Sequence, residues 1–453
     1  MRIHILGICG TFMGGIALLA KEMGHQVSGS DINIYPPMST LLMDSGIEIY
    51  EGYDIAPLTE KLDSVIIGNT LSRGNKSVEY VLNQRIPYVS GPEWLSNNIL
   101  QNKQVIAVSG THGKTSTTSM LAWVLECAGK FPGFLIGGVA ENFGLSARLG
   151  VSDYFVVEAD EYDTAFFDKR SKFIHYHPRI LIINNIEYDH ADIFGEIEDI
   201  IREFRRLICI VPEKGAIITK SNDLNIKAVL EGDRWTPIIC FGEGDGDWQI
   251  LNNQLDYSKF DVSYQGEIVA TVNWDLIGLH NAENALAATA AAFLIGITPS
   301  VTAEALSSYK SVKRRLQKLG VICEVTIYDD FAHHPSAIST TLSALRANVG
   351  DKRIIAIFEP RSNTMKMGVH KDKIAEAFNN ADLIYAYKPD GLVWDMNLAF
   401  QGLGDRYRSY SNIESILNDL VAELAKGDHV VIMSNGSFQG IHRKLLDRLE
   451  EKS

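Results

Sequence analysis

Short apolar runs recur along the chain, each emptying into glycine or polar residues and then into a segment of helical length. Residues 3–6 lead into the glycine turn Gly7-Ile-Cys-Gly-Thr11 and a helix expected through about Met23. Residues 27–30, ending at Asp31, and residues 65–68 read the same way. Runs that stay apolar, rather than alternating with polar residues, mark strands covered on both faces, as in parallel sheets. The pattern repeats at 105–108, at 154–157, which runs into Glu158-Ala-Asp-Glu161, and at 180–183, which runs into Asn184–His190. It returns at 325–328, 354–358 and 430–433. An alanine-rich helix is expected over 285–294, and the Gly- and Asp-rich stretch 242–274 reads as hairpins inserted late in the middle of the chain.

With 453 residues, this pattern predicts an α/β protein of three domains. Residues 1–103 form a Rossmann-like unit, 104–314 a central unit of the P-loop ATPase type with a parallel sheet, and 315–453 a second Rossmann-like α/β unit.

The clearest chemistry lies between the strand at 105–108 and the helix that follows it. Gly110, Thr111, His112, Gly113, Lys114, Thr115 and Ser116 make a phosphate loop. The glycines admit backbone N–H groups to phosphate oxygens, Lys114 supplies a point charge, Thr115 offers a hydroxyl to Mg²⁺, and the helix start favours the anion. Val108 stands where the common loop has its first glycine. Parallel strands end in one crevice, so Glu158 and His190, each placed just beyond a buried run, are candidates to hold Mg²⁺ beside ATP. Asn281 and Asn284 either cap the alanine-rich helix or meet a purine edge.

Near the N-terminus, glycines after the first strand and Asp31 after the second are marks of a nucleotide fold. Their spacing is G-x-x-G-x-x-x-G-G, with Cys9 where the dinucleotide fingerprint has its second glycine. That pattern argues for a nucleotide-like ligand and against NAD.

Composition narrows the reading. Lys+Arg of 42 against Asp+Glu of 56 gives a net charge of −14, and no basic run breaks the balance, which excludes nucleic acid as a partner. The five cysteines (9, 127, 209, 240 and 323) form no C-x-x-C pair, which argues against a disulfide framework and a zinc site and is in keeping with a reducing cytoplasm. The apolar stretch 285–297 is too short to span a bilayer, so no membrane association is expected.

Six stretches in order, Gly110-Thr-His-Gly-Lys-Thr115, Glu158-Ala-Asp-Glu161, Asn185-Ile-Glu-Tyr-Asp-His190, His280-Asn281-x-x-Asn284, Lys313-Arg-Arg315 and Asp329-Asp-Phe-Ala-His-His-Pro335, resemble the Mur ligase family across essentially the whole chain. These are the ATP-dependent amide-forming enzymes of peptidoglycan assembly. Residues 1–15, 35–40, 161–173 and 360–365 look like the branch that recycles wall fragments, joining the murein tripeptide L-Ala-γ-D-Glu-meso-diaminopimelate to UDP-N-acetylmuramate. The alternatives are the branch that adds L-alanine, an NAD-dependent oxidoreductase, and a nucleotide sensor without catalysis. The oxidoreductase leaves the phosphate loop, Glu158 and His190 unexplained, and ATPase activity dependent on both UDP-N-acetylmuramate and peptide would exclude the sensor.

The resemblance implies a cytoplasmic enzyme using ATP and two Mg²⁺ ions. It gives catalytic roles to Lys114, Glu158, His190 and Arg315, and metal contacts to Thr115, Glu158 and His190. Asn281 and Asn284 then correspond to adenine contacts, Arg315 to a γ-phosphate contact and Asp330 to a ribose contact. The UDP-sugar falls to Gly7, Gly10, Thr11, Ser30, Asp31, Asn69, Thr70 and Arg73, and the peptide to Arg361, Asn363 and Thr364. Some family members carry a carbamylated lysine beyond the histidine. Here that window holds Arg202, Arg205 and Arg206, with no lysine before Lys214, so no carbamate is expected.

Overall fold

The computed structural model describes residues 1–232 and 235–452. Three sheets follow one another along the chain, each with a parallel core. In the first, Arg2–Leu6 lies in the middle, with Gln26–Asp31 and Glu48–Glu51 on one side and Ser64–Ile67 and Tyr88–Ser90 on the other, all parallel. The chain therefore reverses its direction of strand addition at the end of Arg2–Leu6. Open parallel sheets take their ligands at such a switch point. Gly29 makes the close packing there feasible, because a Cβ at that position would lie 2.5 Å from the Ile8 side chain.

The second sheet has ten strands. Gln104–Ser109 sits centrally between Ile180–Ile183 and Tyr154–Glu158, parallel to both. Helices Lys114–Cys127 and Leu279–Leu294 pack against each other over one face. Alanine at 285, 287, 288 and 290–292 is wholly buried and lets the two helices approach. The second helix begins at Leu279 rather than 285, so His280, Asn281 and Asn284 sit in its first turns. The stretch 242–274 forms the antiparallel hairpins expected of it. Trp248–Leu251, Lys259–Tyr264 and Glu267–Asn273 extend the same sheet, joined to one another antiparallel. Trp248, Phe260 and Trp274 are buried there, and Trp248 meets Phe293 of the helix edge-on at 5.4 Å.

The third sheet has six strands in the order Gln317–Ile322, Val325–Asp330, His429–Met433, Ile354–Phe358, Leu383–Tyr387 and Tyr407–Tyr410. Helices cover both faces, with separate apolar clusters on each side. Between the first two sheets the apolar core is continuous. Helix Thr11–Glu22 lies on the hairpin of Gly133–Ala140 and Leu145–Arg148, and Gly15 there faces Leu135 and Ala147. Among the described residues, no helix is long and apolar enough to cross a membrane.

The other face of the second sheet rests on helix Ile197–Cys209. Its Phe204 is fully buried and meets Phe173 edge-on at 5.4 Å. Replacing Phe204 by Ala should cost about 3–5 kcal/mol in the unfolding transition of this unit. Chemical denaturation followed with a reporter in the middle of the chain would measure it, and a loss below about 1 kcal/mol would contradict this packing.

Candidate active site

A cleft of about 970 Å³ lies where the strand ends of all three sheets converge. The first sheet lines it with Gly7, Gly10, Thr11, Asp31, Asn69 and Thr70; the second with Thr111–Ser116, Glu158, His190, Asn281 and Asn284; the third with Arg315 and Asp330.

The phosphate loop is pressed onto the turn after Ile180–Ile183. Gly110 (φ +124°) and Gly113 (φ +80°) take left-handed backbone conformations, and a side chain at either would strike that turn. Thr111 N donates to Asn185 O at 3.0 Å and His112 N to Asn185 Oδ1 at 2.8 Å, while Thr111 Oγ1 accepts from Glu187 N at 2.8 Å. Lys114, Thr115 and Ser116 form the first turn of the following helix and are buried.

Lys114 Nζ lies 2.9 Å from Glu161 Oε2 and 3.3 Å from Asp160 Oδ1. Burial opposes its charge, but these carboxylates outweigh burial and hold its pKa above the ordinary lysine value. Asp160 is equally opposed by burial, and Lys172 and Lys114 hold its carboxyl well below the usual carboxylate range. His190, itself at φ +57°, places Nε2 3.2 Å from Glu161 Oε1. Burial disfavours the imidazolium, yet the hydrogen bond and charge of Glu161 raise the His190 pKa above 6.5.

Glu158 differs from its neighbours. Its Oε1 accepts from Thr115 Oγ1 at 3.1 Å and its Oε2 from Gly137 N at 2.7 Å. Burial raises its pKa, and Lys114 only partly offsets this. A Cβ on Gly137 would lie 2.4 Å from the Glu158 carboxylate, so glycine is what permits the approach. Two oxygen donors, Thr115 and Glu158, thus meet on one side of Lys114. On the other, Asp160, Glu161 and His190 offer ligand atoms within 4.8 Å of one another. Oxygen-rich sets with an imidazole at the side, beside a phosphate loop, fit Mg²⁺ shared with a polyphosphate.

The third sheet reaches into this assembly. Arg315 donates to Thr115 Oγ1 at 3.3 Å and lies over the Phe331 ring at 5.2 Å. Asp330, the last residue of its strand, accepts from Leu316 N at 2.6 Å and Ala332 N at 2.7 Å. Burial raises its pKa. Asn281 reaches back to Ile277 O at 2.8 Å, and Asn284 Oδ1 lies 3.4 Å from Asn184 Nδ2.

Not every candidate lines the cleft. Ser30 Oγ is paired with His4 Nε2 at 2.9 Å, buried behind the strand ends, and its carbonyl accepts from Gly7 N at 2.8 Å. Asp31 accepts from Cys9 N and Asn33 N, both at 2.9 Å, and so shapes the glycine turn. Arg73 is exposed and paired with Glu79 at 2.9 and 3.1 Å, off the cleft lining. Thr364 Oγ1 accepts from Ala191 N at 3.2 Å and Asn363 donates to Asp192 at 3.0 Å, clasping the loop after His190. Arg361 packs over Gly436. These three are not among the residues that line the cleft.

Sequence reasoning passed over Lys172. It lies 3.2 Å from Asp160 and over the rings of Phe12 and Tyr162 at 5.4 and 5.5 Å, bridging the first and second sheets. Its signal was its place in the stretch 161–173, read there only as a resemblance. The arginines of the carbamate window lie on helix Ile197–Cys209, where Arg202 pairs with Asp199 at 3.1 Å and Arg206 with Glu203 at 2.5 Å.

Comparison with known proteins bears on the same three regions. The model described as "Mur ligase family, catalytic domain" matches residues 2–103, the "Mur ligase middle domain" residues 108–292, and the "Mur ligase, glutamate ligase domain" residues 314–436. A Haemophilus influenzae protein named UDP-N-acetylmuramate–L-alanyl-γ-D-glutamyl-meso-2,6-diaminoheptandioate ligase is 51% identical, over 100% of both chains. The Escherichia coli protein of the same name is 50% identical, over 100% of this chain and 99% of its own. The crystal structure of a murein peptide ligase from Psychrobacter arcticus superposes with a TM-score of 0.78 at 44% identity, covering 99% of this chain and 98% of that one. Identity at half of all positions along the full length, on a three-sheet fold closed around a phosphate loop, places the chain in the Mur ligase family.

Proposed function

We propose that the chain is an ATP-dependent ligase that joins the tripeptide L-Ala-γ-D-Glu-meso-diaminopimelate to UDP-N-acetylmuramate, in the cytoplasm and in the service of peptidoglycan recycling. The observation that carries this reading is full-length identity of 51% and 50% to relatives named for that reaction. The charge arrangement around Lys114 supports it independently. A carboxylate does not condense with an amine in water, because its oxygen is a poor leaving group. Transfer of the γ-phosphoryl group of ATP to the muramate carboxylate makes an acyl phosphate. The peptide amine then attacks the carbonyl carbon, and phosphate leaves with the electron pair of the broken C–O bond.

The reading divides the chain by task. Residues 1–103 bind the UDP-sugar through Gly7, Gly10, Thr11, Asp31, Asn69 and Thr70. Residues 104–314 bind ATP, with adenine between Asn281 and Asn284. Residues 315–453 contact ATP and the peptide. Of the candidates outside the cleft lining, Ser30 and Arg73 support the first task at a distance, Asn363 and Thr364 position the His190 loop, and Arg361 stands beside Gly436 on the peptide side. Triphosphate, carboxylate and developing oxyanion bring negative charge together, so neutralisation is the dominant demand. Lys114 meets it by exchanging Glu161 and Asp160 for phosphate oxygens, and Arg315 adds a second cation from the third sheet. Thr115 with Glu158, and His190 with its carboxylate neighbours, would hold two Mg²⁺ ions, whose chemistry is to neutralise and align phosphate oxygens. Closure of the third sheet over the loop excludes water that would hydrolyse the acyl phosphate.

ADP release should require UDP-N-acetylmuramate and tripeptide together, with L-alanine slower by more than about tenfold; equal or faster use of L-alanine would overturn the substrate assignment. Lys114→Ala should lower kcat/KM by about 10²–10³, and a change under threefold would remove Lys114 from the proposed role. A third expectation concerns pH. The His190 pKa is raised in the folded chain, so its pairing with Glu161 stabilises the fold fully below pH 6.5 and fades as pH rises through the higher folded value. A cation taken by His190 must displace that proton. Mg²⁺ affinity should therefore rise with pH above 6.5, with proton release seen by calorimetry in buffers of different ionisation enthalpy. His190→Gln should abolish the release; unchanged release would contradict the assignment.

A further inference from the structure

One side of the cleft holds a cluster that the proposed chemistry does not use. His112, on the phosphate loop, and Glu187, after strand Ile180–Ile183, belong to the second sheet; His334, the N-cap of helix Pro335–Val349, belongs to the third. Glu187 Oε2 lies 3.7 Å from His112 Nε2 and 3.7 Å from His334 Nδ1. One ligand atom from each of the three residues lies within 4.8 Å of the other two. His370 packs edge-on against His334, with ring centres 4.4 Å apart. Among the described residues, Nε2 of His112, of His334 and of His370 is buried without a hydrogen-bond partner. Buried polar nitrogens normally find partners. His112 Nε2 faces Glu187 unpartnered, and His334 Nδ1, which also faces Glu187, accepts only the Ser336 N–H at 3.3 Å, so the cluster has room for a ligand that accepts nitrogen lone pairs.

We propose that His112, Glu187 and His334 form a site for a divalent cation of the Zn²⁺ class, bridging the phosphate loop and the third sheet. Two imidazoles and one carboxylate make a three-ligand zinc set with a position left open, in which a cation on His334 Nδ1 replaces the 3.3 Å cap to Ser336 N–H. Mg²⁺, which takes oxygen donors, is disfavoured there. Zinc bonds of about 2.0–2.1 Å in a tetrahedral array set neighbouring donors roughly 3.4 Å apart, so the observed 3.7 Å separations need little movement. Ser336 Oγ donates to Glu187 Oε2 at 2.5 Å and fixes the carboxylate, the kind of outer contact that orients metal ligands. Protonation is also suitable. Burial opposes charge on Glu187, but His112 and Ser336 hold its carboxyl down at about 2. Burial, together with His112 and His370, lowers His334 to about 3 and keeps it neutral. Because the ligands come from two sheets, an ion bound here clamps the closed arrangement and opposes its reopening. The site is distinct from the Asp160, Glu161 and His190 cluster and does not rest on the substrate assignment above.

The test uses the metal-stripped, full-length protein with ZnCl₂ as the probe. Calorimetry should show a site of one Zn²⁺ per chain that persists in His190→Gln and weakens at least tenfold in both His334→Ala and Glu187→Gln. Zinc-edge X-ray absorption on the unmutated chain, which needs no variant to fold, should show two imidazoles and oxygen at about 2.0–2.1 Å. Zinc binding that survives His334→Ala unchanged, or vanishes in His190→Gln, would overturn the proposal. A spectrum with oxygen ligands alone would do the same.

Discussion

A buried ammonium surrounded by carboxylates governs the rest of this structure. Lys114 sits beneath the strand ends with Glu161 and Asp160 as its counter-ions, and Asp160 is shared with Lys172. Removing any one charge would leave the charges around it out of balance in a largely buried cluster, a cost of several kcal/mol. The cluster is therefore stable only as a whole, and a polyphosphate can displace its carboxylates only if cations accompany it. That requirement suits a nucleotide arriving with divalent ions and disfavours a bare anion, all the more in a chain of net charge −14.

The fold places this charge system at a meeting point of three sheets. Central strands that switch direction of addition deliver the glycine turn of the first sheet and the phosphate loop of the second to the same crevice. The third sheet contributes at its tip, through Arg315 over Phe331 and Asp330 fixing the turn around Leu316 and Ala332. Continuous apolar packing joins the first two sheets, whereas polar contacts such as Arg315–Thr115 and Asn363–Asp192 join the third to the second. Polar seams reopen more readily than apolar ones, so the moving part in the proposed cycle is the third sheet.

Much of this was legible in the sequence, because buried parallel strands announce themselves as unbroken apolar runs. The strands around residues 3–6, 105–108, 154–157 and 180–183 and the loop at 110–116 fall where the pattern sets them. Leu383–Tyr387 and Tyr407–Tyr410 escaped because tyrosine, arginine and serine interrupt the run. The helix start at Leu279 escaped because His280, Asn281 and Asn284 look like a loop until Gly278 supplies the turn before them. Lys172, Gly137 and the Glu187–His334 pairing escaped for a different reason. Each acquires meaning only from a neighbour distant in the chain, and local periodicity carries no record of that. Arg73 pairs with Glu79 and Arg361 packs over Gly436, contacts that an arginine following a strand does not disclose.

In the proposed function the buried cation system serves to move a phosphoryl group onto a carboxylate before any amide forms. That transfer is tested most directly with UDP-N-acetylmuramate carrying ¹⁸O in the lactyl carboxylate, turned over with ATP and tripeptide, and mass analysis of the released phosphate. The account predicts one labelled oxygen in each phosphate formed. Phosphate free of label, with amide accumulating at the same rate, would contradict it.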